Sequence, residues 1–97
     1  MSKTQPSFAR ALRALRLARG LPQEAFDVVS SRTYVSALER GIKVPTLGKV
    51  EALAEVCDVH PLTLLALALS PTWKQADLDQ LLASVGKELD SLAVPRE

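Results

Sequence analysis

Ninety-seven residues with 47% hydrophobic and only 4% aromatic side chains fit one small helical domain, since Leu, Ala and Val favour helix over strand and so short a chain buries only about two thirds of its surface. The single cysteine, Cys57, excludes an intrachain disulfide and fits a reducing cytoplasm, and Cys57 with His60 lacks the further soft ligands a metal needs. The net charge of +1 conceals a segregation: residues 1–50 carry nine Lys/Arg against three acids, net +6, while residues 51–97 carry three against eight, net −5, which suits an anion-binding face beside a separate acidic part or, blandly, chance.

Residues 1–6 are polar and end in Pro6, which predicts a loose tail. Arg10, Arg13, Arg16 and Arg19 interrupt the apolar core that a secretory leader requires. An acid-poor, Arg-rich start also suits an organelle transit peptide, but it flows directly into the domain pattern. Ser7 is an N-cap for a first helix to about Arg19, with Phe8, Leu12 and Leu15 on one face and Gly20 as its stop. Leu17 points away from that face, as an exposed or an interface residue. Arg16 falls about 40° from Leu12, at the rim, where it can reach a partner on another helix. Arg10 and Arg13 project outward, either as a solvated face or toward phosphate.

Leu21-Pro22-Gln23-Glu24 opens a short second helix, Pro22 suiting its first turn and Ala25 and Phe26 supplying apolar contact. Val28-Val29-Ser30 is a turn without glycine. The third helix runs from the N-cap Ser31 to the C-terminal Gly41. Projected at about 100° per residue, Val35 and Leu38 lie on one side with Tyr34 at its edge; Arg32, Thr33, Ser36, Ala37 and Arg40 lie on the other. That outer side is small, polar and basic, a surface that fits a groove of duplex DNA.

Ile42-Lys43-Val44-Pro45 is a connector, and Thr46 caps a fourth helix to about Cys57, with Leu47, Val50, Leu53, Ala54 and Cys57 on one face. Cys57 reads as a small core residue rather than a reactive thiol. Asp58 ends that helix where a glycine would be easier. His60-Pro61 opens a fifth helix, Leu62 to Leu69, with His60 as its cap. Apolar nearly all round, this helix is expected to be buried on several sides; it is far shorter than the ~20 residues of a membrane span. Ser70-Pro71-Thr72-Trp73 is a break, and residues 74–92 form a sixth, amphipathic helix. Leu78, Val85 and Leu92 repeat at seven, as do Leu82 and Leu89. This stripe packs either on the chain's own core or, with Leu65, Leu69, Leu78, Leu82, Val85 and Leu89 as the interface, on a second copy. Gly86 weakens the helix, and Val94 to Glu97 are expected to fray. Residues 1–69 thus form one unit and residues 70–97 a helical extension suited to dimerisation.

Arg13-Ala-Leu-Arg16-Leu-Ala-Arg-Gly20-Leu-Pro-Gln23-Glu24, followed by Ser31-Arg-Thr-Tyr-Val-Ser36-Ala-Leu-Glu39-Arg-Gly41 and Pro45-Thr-Leu, resembles the lambda-repressor-like helix-turn-helix family, the Cro and xenobiotic-response-element class of regulators. The likeness covers about residues 7–65. It implies an all-α fold: a five-helix DNA-binding domain with a sixth C-terminal amphipathic helix. It also implies base contacts by Arg32, Thr33, Ser36 and Ala37, and phosphate contacts by Tyr34, Arg40 and Lys43. Gln23 matches a glutamine that touches phosphate or braces the recognition helix, and Arg16 with Glu39 matches an ion pair between the first and the recognition helix. Gln23 and Ser36 stand thirteen residues apart, closer than in the family pattern, so the second helix is expected to be shorter by about half a turn.

The chain offers no base–nucleophile pair, carboxylate dyad or phosphate-cradling glycine loop, so neither enzyme chemistry nor a cofactor or metal is expected. The resemblance points to a homodimer on near-palindromic double-stranded DNA in the cytoplasm, without a membrane. The alternative is an antitoxin-type module that also binds a toxin, since antitoxins related to this family share the fold.

Overall fold

The computed structural model describes residues 7–95. The expected tail, residues 1–6, and the last two residues of the expected frayed end lie outside the described residues. Six helices run in order: α1 (Phe8–Ala18), a 3-10 helix (Gln23–Val28), α2 (Arg32–Glu39), α3 (Leu47–Val56), α4 (Pro61–Leu69) and α5 (Gln75–Ser91). The described residues contain no strand. None of these helices is both long and apolar enough to cross a membrane.

Local chemistry sets the boundaries. Ser7, Ser31 and Thr46 each accept a backbone N–H three residues on, from Arg10, Tyr34 and Lys49, at 3.1–3.2 Å. His60 caps α4 instead through Nδ1, which accepts from the Leu62 N–H at 3.0 Å. These side chains satisfy donors that a helix start leaves open. Three helices end in the same closing pattern. Leu21 N–H donates to the Arg16 carbonyl, Ile42 to Ala37 and Val59 to Ala54, each with a left-handed residue before it. Gly20 and Gly41 fill that position at φ +69° and +76°; Asp58 fills it at φ +59° and carries a Cβ penalty that the glycines avoid.

The departure from the expected pattern lies between α1 and α2. Six residues there wind as a 3-10 helix rather than an α-helix. At about 2.0 Å rise per residue they span about 12 Å, which an α-helix would reach only with about eight residues at 1.5 Å each. Six residues wound this way therefore bridge a length that would take about eight in an α-helix. Phe26, fully buried, anchors this element to the core, a burial worth about 2–3 kcal/mol.

Ala11, Leu12 and Leu15 of α1, Val35 and Leu38 of α2, Val50, Leu53 and Ala54 of α3 with Cys57 at its cap, and Leu64 and Ala68 of α4 close the core around Phe26. α1 packs on α2 and α4, and α3 packs on α4 after a 109° bend. Arg19, the α1 cap, donates to the carbonyls of Cys57 at 2.9 Å and Asp58 at 3.2 Å. A cation thus sits at the C-terminus of α3, where the helix dipole favours it.

α4 departs from the expectation of burial on several sides. Only Leu64 and Ala68 are buried, while Leu62 and Leu69 are more than half exposed. The α4–α5 connection is an ordered corner. Ser70, buried, donates from Oγ to the Thr72 carbonyl at 2.5 Å. Thr72 Oγ1 bonds Asp77, and Trp73 Nε1 donates to the Leu67 carbonyl at 2.9 Å. α5 packs against α4 and buries none of its own residues.

Candidate nucleic-acid interface

The back of α2 is fixed first by apolar contact. Val35 and Leu38 are fully buried and Tyr34 is half-buried. Ala37 is buried as well, with 5% of its surface exposed. This corrects the expectation that Ala37 faces outward to touch a base. The inward arc is centred near Leu38 rather than between Val35 and Leu38, so it sweeps past Tyr34 to Ala37 at about 100° per residue. The outer face narrows to Arg32, Thr33 and Arg40, exposed, and Ser36, half-buried. Together with Gln23 these four line one shallow depression of about 300 Å³.

Behind that face lies a polar brace. Arg16 Nε donates to Glu39 Oε2 at 2.7 Å and Nη2 to Oε1 at 2.9 Å, a two-point fork. Its remaining arm, Nη1, donates to the Leu21 carbonyl at 3.0 Å. Gln23 Nε2 completes the set by donating to Glu39 Oε1 at 3.1 Å. The Arg16 and Glu39 side chains keep only 11% and 4% of their surface. The hydrogen bond to Glu39 pushes the Arg16 pKa up and outweighs the opposing effect of burial, so the guanidinium holds its charge. One carboxylate thereby joins α1, the 3-10 helix and α2. Gln23 commits a donor to this brace while still lining the outer depression.

The other expected contact residues separate. Arg32 ion-pairs with Glu24, Nη2 to Oε2 at 2.5 Å, both half exposed. Arg40 Nε donates to the Ser36 carbonyl at 3.4 Å, and Lys43 is exposed beyond the helix end. Tyr34 packs against the core and faces Lys49, whose Nζ lies 5.4 Å from the ring centroid. Lys49 Nζ also donates to the Val29 carbonyl at 2.8 Å, securing the turn before α2. Arg10 and Arg13 belong to a different depression, shared with Ala14, Leu17 and Trp73. Arg10 stacks over the Trp73 ring at 4.3 Å, which ties it to the chain's own indole.

Of the residues expected at an interface between copies, Leu65 packs in part against the domain core. Leu78 and Leu82 line a groove of about 340 Å³ with His60, Leu62, Ala66 and Leu67. Leu69, Leu82, Val85 and Leu89 are exposed. Glu24, Lys49, Arg19 and Trp73 are positioning residues that the sequence alone does not mark. Arg19, Lys49 and Trp73 reach carbonyls and Glu24 reaches a side chain on other elements, and nothing in a linear pattern marks such contacts.

A family model for the helix-turn-helix domain matches residues 7–68, from the α1 cap through α4. No curated protein and no solved structure matches the chain. With the match spanning well over half of the sequence, and with the braced helix pair and its basic outer face lying inside the matched region, the chain belongs to the helix-turn-helix domain family.

Proposed function

We propose that this protein is a sequence-specific double-stranded DNA-binding transcriptional regulator that acts in the cytoplasm as a homodimer on near-palindromic operators. The observation that carries this reading is the cluster of Gln23, Arg32, Thr33, Ser36 and Arg40 around one depression on the outer face of α2. A polar, basic helix face free of bulky side chains enters the major groove and offers donors to base edges. Arg32 pairs with a guanine edge, and Thr33 and Ser36 offer hydroxyls. Arg40, Lys43 and Tyr34 meet phosphates, releasing counterions and making affinity fall with salt.

One such helix reads only a few base pairs, so a two-fold dimer is the economical way to a usable site. Its half-sites would lie about 34 Å apart, or a multiple of that. Residues 70–97 supply the dimer element in this reading, because Leu82, Val85 and Leu92 stand more than two-fifths exposed along α5. The same acidic, apolar helix supports a second reading, an antitoxin-type module whose α5 receives a basic toxin.

Footprinting on the DNA upstream of the gene, at two salt concentrations, tests the proposal. Arg32→Ala should weaken specific binding by about 1–3 kcal/mol and relax preference at one base pair. Equal losses on every sequence would refute base reading by Arg32. Absence of protection, with salt-insensitive binding to a protein partner, would favour the antitoxin reading.

A further inference from the structure

Arg32 occupies the first position of α2, beside the partial positive charge of the helix N-terminus. The first turn of α2 contains no acid of its own. The negative charge comes instead from Glu24 on the neighbouring 3-10 helix, whose carboxylate lies 2.5 Å from the Arg32 guanidinium. The Glu24 side chain is half exposed, but the backbone that carries it is held on both sides. Its neighbour Gln23 is pinned to the buried Glu39, and the Ala25 N–H closes the turn on the Pro22 carbonyl at 3.1 Å.

We propose that Glu24 is a specificity-determining residue that acts through Arg32, an inference that rests on the DNA-binding reading above. Two physical effects combine. A phosphate is recognised almost wholly by charge, and the Glu24–Arg32 pair is neutral, so the pair gains little from a random stretch of DNA backbone. A guanine edge is recognised by directed N–H donors. An arginine has five of them, so the fork can present donors to O6 and N7 while one nitrogen stays beside the carboxylate. Glu24 therefore suppresses the sequence-blind pull of Arg32 and restrains its fork for a base. As a positioning residue it touches no DNA itself.

The test uses the full chain as wild type, Glu24→Gln, Arg32→Ala and the double variant. Each is taken through selection on a randomised duplex library. Each is then titrated onto a random-sequence duplex and onto the wild-type selected duplex over a range of salt. Glu24→Gln keeps the shape of the side chain and removes its charge. It should tighten binding to the random duplex and steepen that salt dependence by about one phosphate contact, equivalent to about eightfold in affinity between 1 M and 0.1 M salt. In its selected sequences the guanine preference should fade at the same base pair that Arg32→Ala relaxes. On the Arg32→Ala background the Glu24 change should leave the base profile unmoved.

A purely structural or general charge role cannot produce that base-pair-specific loss. If Glu24→Gln tightens selected and random duplexes equally and keeps every base preference, Glu24 is only a competitor for Arg32 and the inference is overturned. A wild-type selection that yields no consensus overturns the DNA-reading proposal itself, so the two failures are told apart by the wild-type arm alone.

Discussion

Removing either partner of the Arg16–Glu39 fork should destabilise the fold far more than removing both. Glu39 accepts three hydrogen bonds, two from Arg16 and one from Gln23, with almost none of its side chain in water. Arg16→Met takes away the opposite charge and leaves a desolvated carboxylate with one neutral donor. Losses for such half-broken pairs run at about 3–5 kcal/mol, against a total domain stability of about 5–15 kcal/mol. Glu39→Leu leaves the mirror problem, a guanidinium held only by the Leu21 carbonyl. The double variant Arg16→Met/Glu39→Leu leaves no buried charge at this site, and its loss should stay near 1–2 kcal/mol, chiefly the strain of repacking. Urea unfolding followed by far-ultraviolet circular dichroism measures all four proteins. At a slope of about 1.5 kcal/mol/M each single variant should lose roughly 2–3 M in midpoint. The double-mutant cycle should show a coupling of several kcal/mol. Additive losses, or single variants within about 1 kcal/mol of wild type, would refute the claim that this pair is desolvated and mutually dependent.

Asp58→Gly should raise stability by about 0.5–1 kcal/mol, since glycine accepts φ +59° without a Cβ clash and loses only part of that gain to its freer unfolded chain. A rise in melting temperature of roughly 3–6 °C is the expected outcome, and a fall would show that the Asp58 side chain contributes more than its backbone costs. Burial pushes the Cys57 thiol above its ordinary value of 9.0, against the pull of Arg19 and Arg16. The folded state therefore favours the neutral thiol. Its contribution is fully present below about pH 9 and is lost as pH rises from there through the folded-state value, because the unfolded chain ionises first. Thermal melts at about pH 8 and pH 10 should show a steeper alkaline loss for wild type than for Cys57→Val; equal slopes would remove the thiol from this role.

The helix starts and stops were legible because they rest on short-range chemistry. Ser7, Ser31, Thr46 and His60 bond within two or three residues of themselves, and Gly20 and Gly41 adopt the left-handed conformation that their residue type permits. Arg16 sat at the rim of its wheel, and its partner Glu39 followed from the family likeness. Ala37 was illegible for a different reason. Eight residues give a wheel too sparse to locate the centre of a buried arc, and a small side chain carries little hydropathic weight. The apolar α4 misled in the opposite direction, because composition reports what a helix can bury and not what surrounds it. The tethers made by Arg19, Lys49 and Trp73 end on backbone carbonyls, which every residue supplies.

The 3-10 winding between α1 and α2 connects these observations. A deletion of half an α-turn would normally swing the next helix by about 180° and carry its outer face away from its place. Here the segment changes pitch instead. Gln23 at its start still reaches Glu39 at the end of α2, and Phe26 still fills the core. Gln23 and Phe26 fix the start and the middle of the six-residue segment, and Lys49 holds the Val29 carbonyl just past its end, outside support that the weaker hydrogen bonds of 3-10 geometry need. The brace around Glu39 is therefore more than a source of stability, which apolar residues could supply equally well. It ties the linking element to the end of α2, and so lets a six-residue link present Arg32, Thr33, Ser36 and Arg40 on one continuous face.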